Sequence, residues 1–290
     1  MPPIGLLVRR ILAGAVGPCV LALGIAACSA PTAQTAPSPM PTFPQPPASE
    51  LTLPLAPPTD PQLSSALEAI VKAGPPQSWN QQRRDLFRGY LATLAARGPA
   101  SRPELFLSPQ YVLAYLVNAH VAWTIALASA PEFAKLNLAA VRELPITVDG
   151  TTTSLRGLTD EIARRAPFEP RLGLFLNPGW RGVPPLPETA LAGHTFDWQL
   201  ADHAKLVGRT PGFWELDPGR KVLKVSSFAS LMWGLPDAGL ARIRKVFELV
   251  PPPEKLRWDI LAYCGISLSG CSVSFLPIDE ARLWDASPTP

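Results

Sequence analysis

Hydrophobic and polar positions change their spacing several times along the chain, and each change marks an element. In "NQQRRDLFRGYLATLAARG" the apolar residues Leu86, Phe87, Tyr90, Leu91 and Leu94 recur every three or four positions, which predicts an amphipathic helix with one buried face. Ser78 followed by Gln81 has the form of a capping box at its start, and Gly98-Pro99 ends it. Ser108-Pro109 then supplies a cap residue and a proline for the first turn of a second helix. That helix, "QYVLAYLVNAHVAWTIALASA", is apolar on nearly every side up to Pro131. Its length and hydropathy suit a membrane span. Asn118, His120 and Thr124 interrupt it and no basic flank follows, so the sequence reads as the buried central helix of a fold.

Farther on the period shortens. "ITVDGTTTSL" sets Asp149-Gly150 between β-prone residues, the signature of a tight hairpin. A helical stretch "LTDEIARRA" follows, then an apolar run "RLGLFL" that predicts a strand, then a loop rich in Gly and Pro, "NPGWRGVPPLPE". A polar helix around "TFDWQLADHAKLV", a strand "KVLKVSS" and a helix "DAGLARIRKVFEL" complete the series. This order predicts a mainly helical α+β single domain with a small β-sheet over residues 62–276, with 277–290 as a C-terminal tail.

The first sixty residues follow another logic. Arg9 and Arg10 precede an apolar run from Ile11 to Ala27 that is short for a transmembrane helix and flanked like a signal sequence. The run ends in Ile25-Ala26-Ala27-Cys28, which resembles the bacterial lipobox. The resemblance implies that residues 1–27 are removed as a lipoprotein signal peptide and that Cys28 carries diacylglycerol and a further acyl group such as palmitate. Each buried methylene adds about 0.8 kcal/mol to such an anchor. Ser29 after the cysteine, where inner-membrane retention usually has Asp, implies an outer-membrane location facing the periplasm. Residues 28–61 read as a tether, since Ser29 to Pro61 holds 11 prolines in 33 residues among Ser, Thr, Ala and Gln. At ~3.1 Å per residue it would span roughly 100 Å when fully extended.

Composition narrows the partners. Hydrophobic residues make up 47% and charged residues 17% of the chain, which is globular and slightly greasy. Removal of Arg9 and Arg10 with the leader takes the formal charge from +3 to +1, and Lys and Arg form no stripe alternating with aromatics. Nucleic acid is therefore not an expected partner. Of four cysteines, Cys19 leaves with the leader and Cys28 is the anchor, so Cys264 and Cys271 remain. In an oxidising compartment such a pair predicts a disulfide.

Several pieces in order resemble the bacterial and plant domain-of-unknown-function 547 family over roughly residues 62–270. In the central helix "AYLVNAHVA" keeps Ala114, Asn118 and Ala122 of the family's Ala-Phe-Trp-Ile-Asn-x-Tyr-Asn-Ala, with His120 and Val121 where it has Tyr-Asn. Ser154-Leu155 and Arg164 match, but Leu158-Thr159-Asp160 stands where the family has Ile-Glu-His. "WQL" at 198–200 and "LKVSS" at 223–227 fit, and "ILAYCGISL" falls where members end in a strand. In the loop, Pro170-Arg171, Leu176-Asn177 and Pro184-Pro185-Leu186 are kept. Gly173, Pro178 and Val183 replace a His and two Cys of the family pattern. That His and Cys would imply thiol chemistry of a cysteine-protease-like or transglutaminase-like kind, and this chain lacks those groups.

The resemblance thus implies a degenerate, non-catalytic domain that binds an envelope protein or small-molecule ligand, with no cofactor and no metal. A cleft is expected from Asn118, His120, Asp160, Arg164, Asn177, Trp180 and Arg181, with residues 177–186 as one wall, Asn118 opposite, and Trp180 and Arg181 at the mouth. The competing expectation is an active hydrolase or transferase rebuilt around His120, Asp160 and possibly a thiol. His194 and His203 do not fall at helix-face metal spacing, and "GISLSG" misses a nucleophile elbow because Ser269 replaces its last Gly.

Overall fold

The computed structural model describes residues 61–73, 76–130, 136–177, 179–180, 184–236 and 239–277, all within one compact unit, Gln45–Pro290. The leader, Cys28, most of the tether, Pro178, Arg181, Val183 and the tail from 278 lie outside the described residues.

The first helix, α1, runs Pro61–Ala73 and packs on α2, Gln81–Ala96. Helix α2 buries Phe87, Tyr90, Leu91 and Leu94 as its period predicts, whereas Leu86 is 59% exposed. Its N-cap is Asn80 rather than Ser78: the Asn80 carboxamide oxygen accepts from the Arg83 N–H at 2.9 Å. A 3₁₀ turn over Pro76–Ser78 takes Ser78 out of capping position. Helix α3, Pro109–Ala128, is the central helix. Every residue from Leu113 to Ile125 is buried, so its apolar surface on all sides meets protein.

After the short helix α4, Leu138–Arg142, strands β1 (Ile146–Val148) and β2 (Thr151–Thr153) form the expected hairpin. Asp149 and Gly150 both take positive φ, 52° and 72°, as a two-residue turn of this hand requires. The turn also closes the end of α2. The Asp149 and Gly150 N–H groups donate to the Leu94 and Ala95 carbonyls, and the Asp149 carboxylate accepts from the Ala100 and Ser101 N–H groups. Helix α5, Leu155–Arg165, follows, capped by Ser154 and packed on α3.

The apolar run after α5 is not a strand. Pro170–Phe175 is a 3₁₀ helix, with Leu172, Gly173, Leu174 and Phe175 all buried. A short apolar run bounded by Pro is ambiguous by periodicity. Here Pro170 fixes the first helical φ, and the Glu169 carboxylate accepts from the Arg171 N–H, so the local geometry starts a helical turn.

Helix α6, Phe196–Arg209, leads to the second sheet, in the order β3 (Trp214–Asp217), β4 (Val222–Ser226), β5 (Ser272–Leu276). Strand β3 is antiparallel to β4, whereas β4 and β5 are parallel and joined through α7 (Gly239–Leu249) and α8 (Glu254–Cys264). The "ILAYCGISL" stretch is therefore the end of α8 and a turn, and the strand starts only at Ser272. Gly265 ends α8 at φ 75°, and the Cys264–Cys271 disulfide closes the turn. The fold is the α+β, mainly helical domain expected, with two small sheets instead of one.

Candidate functional site

The loop after the 3₁₀ helix is a strap laid along α3. Its two ends show the direction: a Cβ on Gly179 would lie 3.1 Å from the Ala128 Cβ, while one on Gly193 would lie 2.6 Å from the Tyr111 ring. Between them, Leu191 meets Asn118. The strap thus runs antiparallel to the helix, and Gly179, at φ 94°, approaches where no larger residue would fit without displacement.

A strap of this kind carries backbone groups that lose water and need partners. Amide side chains provide them. Asn177, fully buried, donates from Nδ2 to the Trp180 and Pro184 carbonyls at 3.2 and 2.7 Å. Its Oδ1 accepts from the Gly179 and Trp180 N–H groups at 2.6 and 3.0 Å. Asn118 exchanges two 2.8 Å hydrogen bonds with the Leu191 backbone. Gln199 of α6 donates to the Ala190 carbonyl and accepts from the Ala192 N–H, and the Ser64 hydroxyl accepts from the Ala190 N–H.

The expected cleft is therefore filled at the points where the walls are described. Asn118 and Leu191 are in hydrogen-bond contact, and Gly179 lies on α3. Trp180 is 5% exposed and covers the core instead of standing at a mouth. Asp160 and Arg164 do not join these residues. Arg164 is held on the surface by Glu161, at 2.9 and 2.7 Å, and Asp160 is an exposed side chain 4.0 Å from Arg156. Two arginines on Glu161, Arg164 foremost, hold its carboxyl below the usual range. Arg181 is outside the described residues. At Gly173, where the family pattern has His, a Cβ would already be 3.3 Å from the Trp233 ring, so an indole occupies that space.

The two buried histidines are neutral groups. His120 is 1% exposed, and burial pushes its pKa down to about 3, with a smaller push from the Arg142 charge. Its Nδ1 lies 3.5 Å from the Thr124 hydroxyl. His203 of α6 is pushed down to about 4, again by burial, against opposing contributions from its hydrogen bond and from Asp202. It donates from Nε2 to the Leu174 carbonyl at 3.0 Å and lies against Phe175, ring centroids 4.2 Å apart. His194 is exposed. The histidines thus serve as core packing and as a donor to the 3₁₀ helix.

What faces solvent nearby is aromatic. Phe168 is 91% exposed and Trp198 is 68% exposed. In sequence they adjoin Glu169 and Asp197: half-buried Arg171 bonds Glu169 at 2.8 and 2.5 Å and lies 3.8 Å from the exposed Asp197. The segment bearing Phe168 is held in place: Trp233 donates from Nε1 to the Ala166 carbonyl, and a Cβ on Gly234 would be 2.4 Å from the Pro167 carbonyl oxygen. The sequence contains the signal for Trp198. Phe196, Leu200, His203, Ala204 and Val207 make the buried stripe of α6, and position 198 falls outside that period. Phe168, in an irregular segment, has no period to violate.

Comparison of the chain with protein-family models, with curated proteins and with solved structures finds no match.

Proposed function

We propose that this chain is a lipid-anchored protein of a bacterial cell envelope, tethered through Cys28 to the outer membrane. Its folded part is a binding module, a degenerate relative of the domain-of-unknown-function 547 family, and works without turnover. The observation that carries this reading is the division of side chains around the strap. Asn118, Asn177 and both buried histidines are engaged with the fold, while Phe168 and Trp198 stand in solvent, each next in sequence to a carboxylate residue that Arg171 approaches. Exposed aromatic residues and arginine are enriched at protein interfaces. A rebuilt enzyme would need its substrate to reach His120, and that ring is sealed by α3 and its neighbours.

The anchor is tested by fractionating cells that express Cys28→Ala: release from the membrane or accumulation of precursor is expected, and unchanged membrane association would refute it. The binding surface is tested by photocrosslinking from position 198 in intact cells. A discrete adduct that disappears in Phe168→Ala, with Tm unchanged, is expected. Hydrolase or transferase turnover abolished by His120→Ala would replace the reading with the enzyme alternative.

A further inference from the structure

Leu86 breaks the rule that the rest of its helix obeys. By period it belongs with Tyr90 and Leu94, which are 4% and 1% exposed, yet it is open to solvent. It lies in a groove of about 420 Å³ between the first turns of α1 and α2, where Pro61, Ala66 and Phe87 supply apolar surface and Arg83 a charge. That volume is at the lower end of the range of small-molecule clefts.

The chain itself supplies an occupant. Pro61, the first residue of α1, is part of the groove wall, so the segment before it is joined directly to the groove. They read "ELTLPLAPPTD" from Glu50 to Asp60, with Leu51, Leu53 and Leu55 set among Pro54, Pro57 and Pro58. Between Arg10 and Lys72 there is no Lys or Arg, so Glu50 and Asp60 make this segment acidic opposite Arg83. Prolines hold an extended conformation in advance and so lower the ordering cost of docking. A segment joined directly to its groove also binds at the millimolar effective concentration typical of a short link, ahead of a free peptide or second copy.

We infer that residues 51–58 of this same chain dock in the groove between α1 and α2, with their leucines against Leu86, Ala66 and Phe87. Docking would shorten the free tether to the part before Leu51. The inference stands apart from the anchor at Cys28 and from whatever the folded part binds.

The full chain with a benzophenone amino acid at position 86 tests it. Irradiation should give an intramolecular crosslink within residues 50–60 on a monomer-sized band. Adducts only to a second copy, only to other proteins, or only elsewhere in the chain would overturn it. A second measurement uses Leu86→Arg, a change at an exposed position. Cleavage after Leu51 and Leu55 by a protease selective for apolar residues should accelerate about tenfold, the loss of roughly one leucine contact. Equal rates in the two proteins would overturn the inference.

Discussion

Two irregular segments of this protein are each gathered at one point by a buried polar side chain, and the two side chains are chemically different. The strap after Leu176 is gathered by Asn177, whose amide both donates and accepts. The segment after β4 bends around Arg242 of α7, which only donates. Its guanidinium reaches the carbonyls of Ala229, Ser230, Met232 and Pro236. The difference follows from what each backbone leaves open. Ser227–Ser230 is a 3₁₀ turn whose last carbonyls point out of its end, so a fork of N–H donors fits. The strap around Gly179, at φ 94°, presents two N–H and two C=O groups together, and one carboxamide, with two N–H donors and an acceptor oxygen, matches them. Neither holder is paired with a carboxylate among these bonds; each is spent on backbone.

The comparison can be broken most directly at Arg242. Arg242→Leu keeps much of the volume but leaves several buried carbonyls without donors, and should lower unfolding free energy by about 4 kcal/mol, measured by urea denaturation. Arg242→Lys should recover only part of it, because an ammonium cannot span the fork. If the leucine variant matches the parent protein, the carbonyls find other partners and the contrast fails.

Acid should attack the strap side selectively. His203, which holds the Leu174 carbonyl, and His120 in α3 have folded pKa values of about 4 and 3, below the unfolded value near 6.5. The unfolded chain therefore takes up protons first. The stability associated with these groups is complete above about pH 6.5 and is lost as pH falls toward 4 and then 3. Hydrogen exchange between pH 7 and 4.5 should rise around residues 174–193 before it rises around 227–236. Acid insensitivity retained alongside buried histidines would contradict this.

Asn177→Asp sharpens the amide argument. The carboxylate still accepts from Gly179 and Trp180 but faces the Trp180 and Pro184 carbonyls with no donor, so a loss of roughly 3 kcal/mol is expected at neutral pH, partly recovered when the group is protonated. Urea curves at pH 7 and pH 5 measure both parts. The third irregular segment, the turn from Cys264 to Cys271, is closed covalently. Replacing both cysteines by serine should cost roughly 2–3 kcal/mol in the chain-entropy account of so short a loop. The loss should appear as a lower Tm with the strap's exchange pattern unchanged.

Several features were legible before any coordinates. The period of α2, the proline opening α3 after a Ser108 whose side chain makes no cap bond, the Asp149-Gly150 turn and the cysteine pair are local signals, each written within about ten residues. The candidate cleft was not legible, for a reason visible in Asn118 and Asn177. An amide that binds a ligand and an amide that binds its own backbone look the same in a sequence. The choice between them lies with partners such as Leu191, 73 positions away from Asn118.

By itself, then, the sequence determined the helix and hairpin signals and the mixed, mainly helical class, because spacing and turn chemistry act over short stretches of chain. Tertiary structure decided that "RLGLFL" winds into a 3₁₀ helix, that a parallel β5 joins β4, that Leu86 stays open, and that the strap's polar groups point inward. Those outcomes depend on which distant surface removes water from a group, and a group that loses water must find its partner wherever the fold brings one.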